Sequence, residues 1–312
     1  MPVLHFSETN DARWLALSLA LALATGCAGG DRASRAGNAA PENVRDDYGR
    51  VVRPAAPPQR IVSLSPATTE LLFALGAGPR VVGRTQYDLW PDSARLVPSV
   101  GAGMQPNLEA VLGRHPDLVI MYASGSDRGA ADRLTASGVP TAAFRMDRIS
   151  DFARVTMLLG RLLDDTVRAR RVVDSVTATL DRVRHATASL PRPTVFLHVW
   201  EKPLMTIGGG SFLSELVTIA GGRNIYDSLP APSPVVTLED VLRRNPQIVL
   251  VSPTERASML ASVRWQALPA VRAGHVLAYD TNLVARPSVK LGEAAVSLAA
   301  LFHPGALRTQ SR

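Results

Sequence analysis

Residues 107–120, NLEAVLGRHPDLVI, return as residues 237–250, TLEDVLRRNPQIVL, with Leu, Glu, Val, Leu, Arg, Pro and Val in the same places. In the first copy Asn107 suits a helix N-cap, Leu108, Val111 and Leu112 recur at helical spacing, Pro116 stops the helix, and LVIMY from Leu118 is a short apolar strand. The second copy has the same order. A helix feeding a buried strand is half of a βαβ unit, so its recurrence predicts two lobes of one design, by duplication or by independent use of the same unit.

The neighbouring segments extend the pattern in both directions. Upstream, RIVSLS from Arg60 reads as a strand and PATTELLFALGAG from Pro66 as a helix with Pro at its start and Gly at its end, followed by the strand RVVG. RGAADRLTASG from Arg128 supplies another helix and VPTAAF another strand. Beyond Pro193 the order repeats: TVFLHVW, a glycine loop entering the helix GGGSFLSELVTIAGG, the strand NIYD, the repeated helix and IVLVS, then HVLAYD and a closing helix from about Lys290 to Phe302. Glu215-Leu216 echoes Glu70-Leu71. Strand alternating with helix implies parallel sheets covered on both faces, an α/β class.

Between the lobes, Ser150 to Leu190 holds no proline and one glycine. Phe152, Val155, Leu159, Leu162, Val172, Val176, Leu180 and Val183 keep a helical period. A flexible linker would be rich in Gly, Ser or Pro. The segment reads as a rigid backbone helix, either continuous or two in tandem around Asp164-Asp165. The expected boundaries are a signal segment at 1–27, a tether at 28–58, an N-terminal lobe at 59–148, the backbone helix at 149–191 and a C-terminal lobe at 192–312, with the ligand cleft between the lobes.

Composition narrows the function classes. The formal charge is +7, but the positive residues are almost all scattered arginines, with Lys202 and Lys290 the only lysines. No basic stripe with interleaved aromatics marks a nucleic-acid surface. WLALSLALALAT, from Trp14, is short for a membrane span and suits an export signal that stops at Gly26-Cys27. Cys27 is the sole cysteine, which excludes an internal disulfide. LATGC resembles a bacterial lipoprotein cleavage box, with Cys27 lipidated; a plain secretory signal is the other reading, and both export the chain. GxSxG, HExxH and GxxxxGK[ST] are all missing from the sequence, so no enzyme is expected.

RIVSLSPATTELLFALGAG, VVGRTQYDLWP, NLEAVLGRHPDLVI, the helical backbone and the second LED helix, in that order, resemble the substrate-binding proteins of metal-chelate ABC importers. The resemblance runs from about Asp46 to Phe302 and is greatest to the periplasmic vitamin B12 binders; relatives carry ferric siderophores or haem. It implies a cobalamin-type cargo and no resident cofactor. The implied partners are a permease dimer and, through Cys27, the membrane. In that family one acid on each lobe's rim docks onto a permease arginine, and the matching residues are Glu109 and Glu239. Each sits in a helix's first turn, where the dipole favours an acid even without a partner.

Candidate ligand contacts are the aromatics on loops leaving strand ends, Tyr87, Trp90, Tyr122 and Trp200, since flat apolar rings bury a corrin or porphyrin edge; ordinary packing is the alternative. Asn282 and Arg286, in DTNLVARPS, stand where B12 binders place an acid and an arginine, Asn282 being a departure from the acid. His198, next to Trp200 on an alternating strand, could act as a ligand to cobalt or iron or be a packed histidine.

Overall fold

The computed structural model describes residues 43–284 and 286–307, all within one compact unit. The export segment, with Cys27, lies outside the described residues. The described chain opens with an antiparallel hairpin, β1 (Val44–Arg45) on β2 (Val51–Val52), in a stretch expected to be tether as far as residue 58. Val44 and Val52 are buried. The acids that made this stretch look like tether cover a sheet edge instead. Asp46 accepts from the backbone of Ala143 at 3.2 Å, Asp47 accepts from the backbone of Arg145 at 2.6 Å, and the Asp47 amide donates to Ala143 O at 2.9 Å. Covering an open edge satisfies its free N–H and C=O groups.

The first sheet holds β3 (Ile61–Ser63), β4 (Val81–Gly83), β5 (Leu118–Tyr122) and β6 (Thr141–Phe144), all parallel, in the order β4-β3-β5-β6. Helices α1 (Pro66–Ala74), α2 (Leu108–Leu112) and α3 (Arg128–Ala136) connect them. Two helices follow, α4 (Ile149–Leu162) and α5 (Thr166–Thr187). The second lobe begins with β7 (Thr194–Leu197) and a small hairpin, β8 (Trp200–Glu201) on β9 (Leu204–Met205). It continues through α6 (Phe212–Ile219), β10 (Arg223–Asn224), α7 (Leu238–Arg244), β11 (Ile248–Val251), α8 (Pro253–Ala261), α9 (Pro269–Arg272), β12 (Val276–Ala278), α10 (Thr281–Val284) and α11 (Leu291–Phe302). Its parallel sheet runs β10-β7-β11-β12. Setting the hairpin aside, both sheets place their second strand outside the first and their third and fourth beyond it. The repeat read in the sequence is thus a repeat of topology.

The repeated segments match in detail. Asn107 and Thr237 both cap their helices, accepting from Ala110 N at 3.1 Å and Asp240 N at 3.2 Å. After each helix one residue before the proline turns left-handed, His115 at φ 49° and Asn245 at φ 43°.

The backbone segment over 149–191 is two helices in tandem, the second of the two readings left open by its sequence, with the break at Asp164-Asp165. Asp164 takes φ 58°, the Asp165 amide donates back to Gly160 O at 2.8 Å, and the Asp165 carboxylate caps α5 by accepting from Arg168 N at 2.9 Å. Helices α4 and α5 then pack on one another, so closely at Gly160 that a Cβ there would sit 2.5 Å from the Ala169 methyl. The local αL stop outcompetes the continuous apolar period. Among the described residues only α5, of 22 residues, has the length to serve as the backbone, about 33 Å at 1.5 Å per residue. One hydrophobic cluster joins one face of each sheet through α4, α5, α6 and α11, including Ile120, Phe144, Leu159, Leu180, Leu216, Leu250 and Leu298. The opposite faces have their own clusters, around Val62 and Met121 in the first lobe and Phe196 and Val249 in the second.

Candidate functional site

In each sheet the order of strands reverses between the first and third, β3/β5 and β7/β11, and open α/β sheets bind ligands beyond the carboxyl ends of the strands at such points. Beyond the first sheet, Pro66, Thr85, Tyr87, Gly103, Met104 and Ser126 line a pocket of about 510 Å³. Its rim is apolar and open: Tyr87 is 57% exposed and Met104 68%, with Leu89 half exposed nearby in sequence. Gly103 is obligatory, since a Cβ would lie 2.2 Å from Leu64 O.

The loop that carries Tyr87 is pinned from below. Asp88 is buried and accepts from the hydroxyls of Thr69 and Thr85 and from Thr85 N. Burial pushes its carboxyl above the ordinary carboxylate range, against the pull of those hydrogen bonds. Trp90, half-buried, receives the Lys290 ammonium 4.2 Å from its ring centroid, so this predicted ligand aromatic is already in a cation–π contact with the other lobe. Tyr122, also half-buried, donates its hydroxyl to Asp147 at 2.7 Å. Burial and that carboxylate push the phenol up to about 12.

Beyond the second sheet, Trp200 stands 59% exposed on β8 between exposed Val199 and, across the hairpin, Val235. Its indole donates to Lys202 O at 3.0 Å, which fixes the ring. Glycines 208–210 hold the adjoining loop tight: a Cβ on any of them would meet a backbone oxygen of residues 227–231 at 2.0–2.1 Å. Asn282 is exposed on α10. Arg286, a predicted ligand contact, is bound to Glu70 of α1, Nε to Oε1 at 2.6 Å, with the Glu70 side chain 1% exposed. His198 is buried, with Nε2 at 2.8 Å from Glu201 Oε2 and Nδ1 facing Glu255.

Tyr87, Trp200 and Asn282 are exposed, while Trp90, Tyr122 and Arg286 are at least half-buried and contact side chains of the protein. Sequence reading missed a reciprocal arrangement. Glu70, on the first helix of one lobe, binds Arg286 after the last strand of the other; Glu215, on α6, binds Arg148 after the last strand of the first lobe and accepts from Ile149 N at 3.0 Å. The Glu-Leu echo at residues 70 and 215 was the visible signal, but the arginines have no matching spacing to betray them.

Glu109 and Glu239 occupy the same place in the first turns of α2 and α7, and both are exposed. Hydrogen bonds from its own backbone N–H and from Thr237 hold the Glu239 carboxyl below its ordinary value, aided by Arg264.

Comparison with known proteins agrees with this arrangement. The family model described as periplasmic binding protein matches residues 61–283. A vitamin B12-binding protein of Yersinia pestis (strain Pestoides F) is 30% identical over 212 residues, covering 68% of this chain and 76% of that protein. The solved periplasmic vitamin B12 binding protein BtuF of Vibrio cholerae superposes with a TM-score of 0.70 at 26% identity, over 81% of this chain and 99% of that one. The periplasmic heme-binding protein RhuT from Roseiflexus sp. RS-1, at TM-score 0.71 and 23% identity, covering 80% and 99%, shares the fold. Two lobes of one topology joined through a packed helix are thus matched along most of the chain: it belongs to the periplasmic binding protein family.

Proposed function

We propose that this chain captures a cobalamin-type chelate outside the cytoplasm and delivers it to the permease dimer of an ABC importer. The observation that carries the reading is the pair of exposed apolar rims, Tyr87, Leu89 and Met104 beyond one sheet and Val199, Trp200 and Val235 beyond the other. Monomeric soluble proteins seldom leave large apolar side chains grouped in this way without a ligand or partner to cover them. The B12-binding relatives supply the ligand class. No catalytic step is involved, and no group is held permanently. Lipidation of Cys27 anchors the chain, and Glu109 and Glu239 dock it through their exposed, equivalent positions.

The test is fluorescence of the mature chain offered cobalamin, haem and a ferric hydroxamate in turn. Cobalamin should quench Trp200, and Trp200→Phe should lose most of the quench while keeping the binding. Saturable haem or siderophore binding without a cobalamin response replaces the ligand and keeps the role. Metabolic labelling with a fatty acid, lost in Cys27→Ser, checks the anchor.

A further inference from the structure

Just beyond β7 and β11, His198, Glu255, Ser258, Ser262 and Trp265 enclose a second pocket, of about 220 Å³. Its His198 side chain is 3% exposed. Nε2 lies 2.8 Å from Glu201 Oε2, and a carboxylate only accepts, so Nε2 carries the proton and donates. Nδ1 is then a lone pair, and no donor reaches it. Facing it is Glu255 Oε2 at 3.4 Å, another acceptor, itself taking a hydrogen bond from Ser252 Oγ at 2.8 Å. Two acceptors facing one another are repulsive unless something positive lies between them.

The spacing suits a metal ion. Two ligand bonds of about 2.1 Å meeting near the tetrahedral angle separate their donor atoms by about 3.4 Å. The imidazole is also held as a metal-bound histidine is held, by a carboxylate on its other nitrogen: Glu201 is fixed in turn by Arg264 Nη1 at 2.9 Å, and Trp265 packs against the imidazole at 5.7 Å between ring centroids, nearly perpendicular. We propose that His198 Nδ1 and Glu255 bind a divalent first-row cation of the zinc type, with Glu201 as the orienting carboxylate. Glu201 and Glu255 lie on opposite nitrogens of the ring and do not share the ion. Among the described residues no group of three or more His, Cys, Asp or Glu converges, so water or the hydroxyls of Ser258 and Ser262 fill the remaining positions. The ion is bound bare rather than inside a chelate, and the site does not depend on the cobalamin reading.

Titration of the mature chain with Zn²⁺ alone, by calorimetry at neutral pH, decides it, with cobalamin quenching run in parallel so that the two readings succeed or fail separately. One ion per chain should bind. Glu255→Gln, at the pocket rim, should abolish that binding with the fold unchanged by circular dichroism, and Glu201→Gln should weaken it about 10- to 100-fold. Co²⁺ should give visible d–d bands that Zn²⁺ displaces, and the ¹⁵N signal of His198 Nδ1 should shift on loading. Zn²⁺ binding that survives both Glu255→Gln and His198→Gln, or a metal-free spectrum with both His198 nitrogens protonated at neutral pH, overturns the proposal.

Discussion

Asp88 holds the Tyr87 loop at a cost that depends on pH. Burial raises its carboxyl above the unfolded value, so its contribution is fully present below the ordinary carboxylate range and is lost as pH rises through the raised pKa. Asp88→Asn removes that dependence and turns an NH₂ toward groups that donate, an unsatisfied arrangement costing about 1–3 kcal/mol. In urea denaturation the variant should be less stable than the parent, and the gap should widen as the pH is lowered from neutral. Tyr122 behaves in the opposite range: its phenol is pushed up to about 12, so stability due to it declines between its ordinary pKa and about 12. An ultraviolet titration of parent against Tyr122→Phe should show that late phenol vanish. At this scale the sequence was partly legible. Tyr87 and Trp200 stood out because aromatics are few and these two fall on loops. The contacts of Arg286 with Glu70 and of Trp90 with Lys290 were not legible, because the partners lie about two hundred residues apart, 216 in the first case, and no local pattern encodes such pairing.

Elements were more legible than side chains, and at the backbone segment the sequence left two readings open, because a short polar signal interrupts a long apolar one. The apolar period from Phe152 to Val183 runs straight through Asp164, yet the left-handed turn there, with Asp165 as the next cap, ends one helix and starts another. Gly160 is the residue that lets them meet. Gly160→Ala should cost about 1–3 kcal/mol by overpacking, although alanine is the better helix former, and Ala169→Gly in the same chain should recover part of it. Thermal unfolding of the two single variants and the double checks the coupling. The β1–β2 hairpin was missed outright. Its acids look solvated in sequence, and only the open edge of β6 gives them a purpose. The repeated helix and strand, by contrast, carried cap, period and proline together, and levels that agree are read correctly.

Across the molecule, each lobe reaches over to grip the other. The Glu70–Arg286 pair is the stronger case, since Glu70 is almost wholly buried. Arg286→Ala should cost about 3–5 kcal/mol by leaving that acid uncompensated, whereas replacing both residues with Met should return most of it. The Arg148–Glu215 pair is more open and should be worth about 0–1 kcal/mol. Chemical denaturation of these variants checks the ranking. With both grips and a shared core in place, small-angle scattering profiles with and without ligand should nearly superpose. Docking belongs to this scale too: Glu109→Lys with Glu239→Lys should leave ligand affinity nearly intact, since first-turn charges contribute about 0.3–1 kcal/mol, while uptake falls, and a permease Arg→Glu change should restore part of it. The two-lobed outline was legible because its units are local and repeated; the reciprocal grips were not, because each joins the end of one lobe to the beginning of the other. Those grips also set how the chain can be cut. Halves produced separately and divided after Leu190 would each expose half of the shared core, and the first would carry Glu70 without its cation. Apart they should aggregate, and expressed together they should find each other and rebuild the cleft. A reporter divided between them would register reassembly, a split receptor built from a protein that has two lobes but only one core to share.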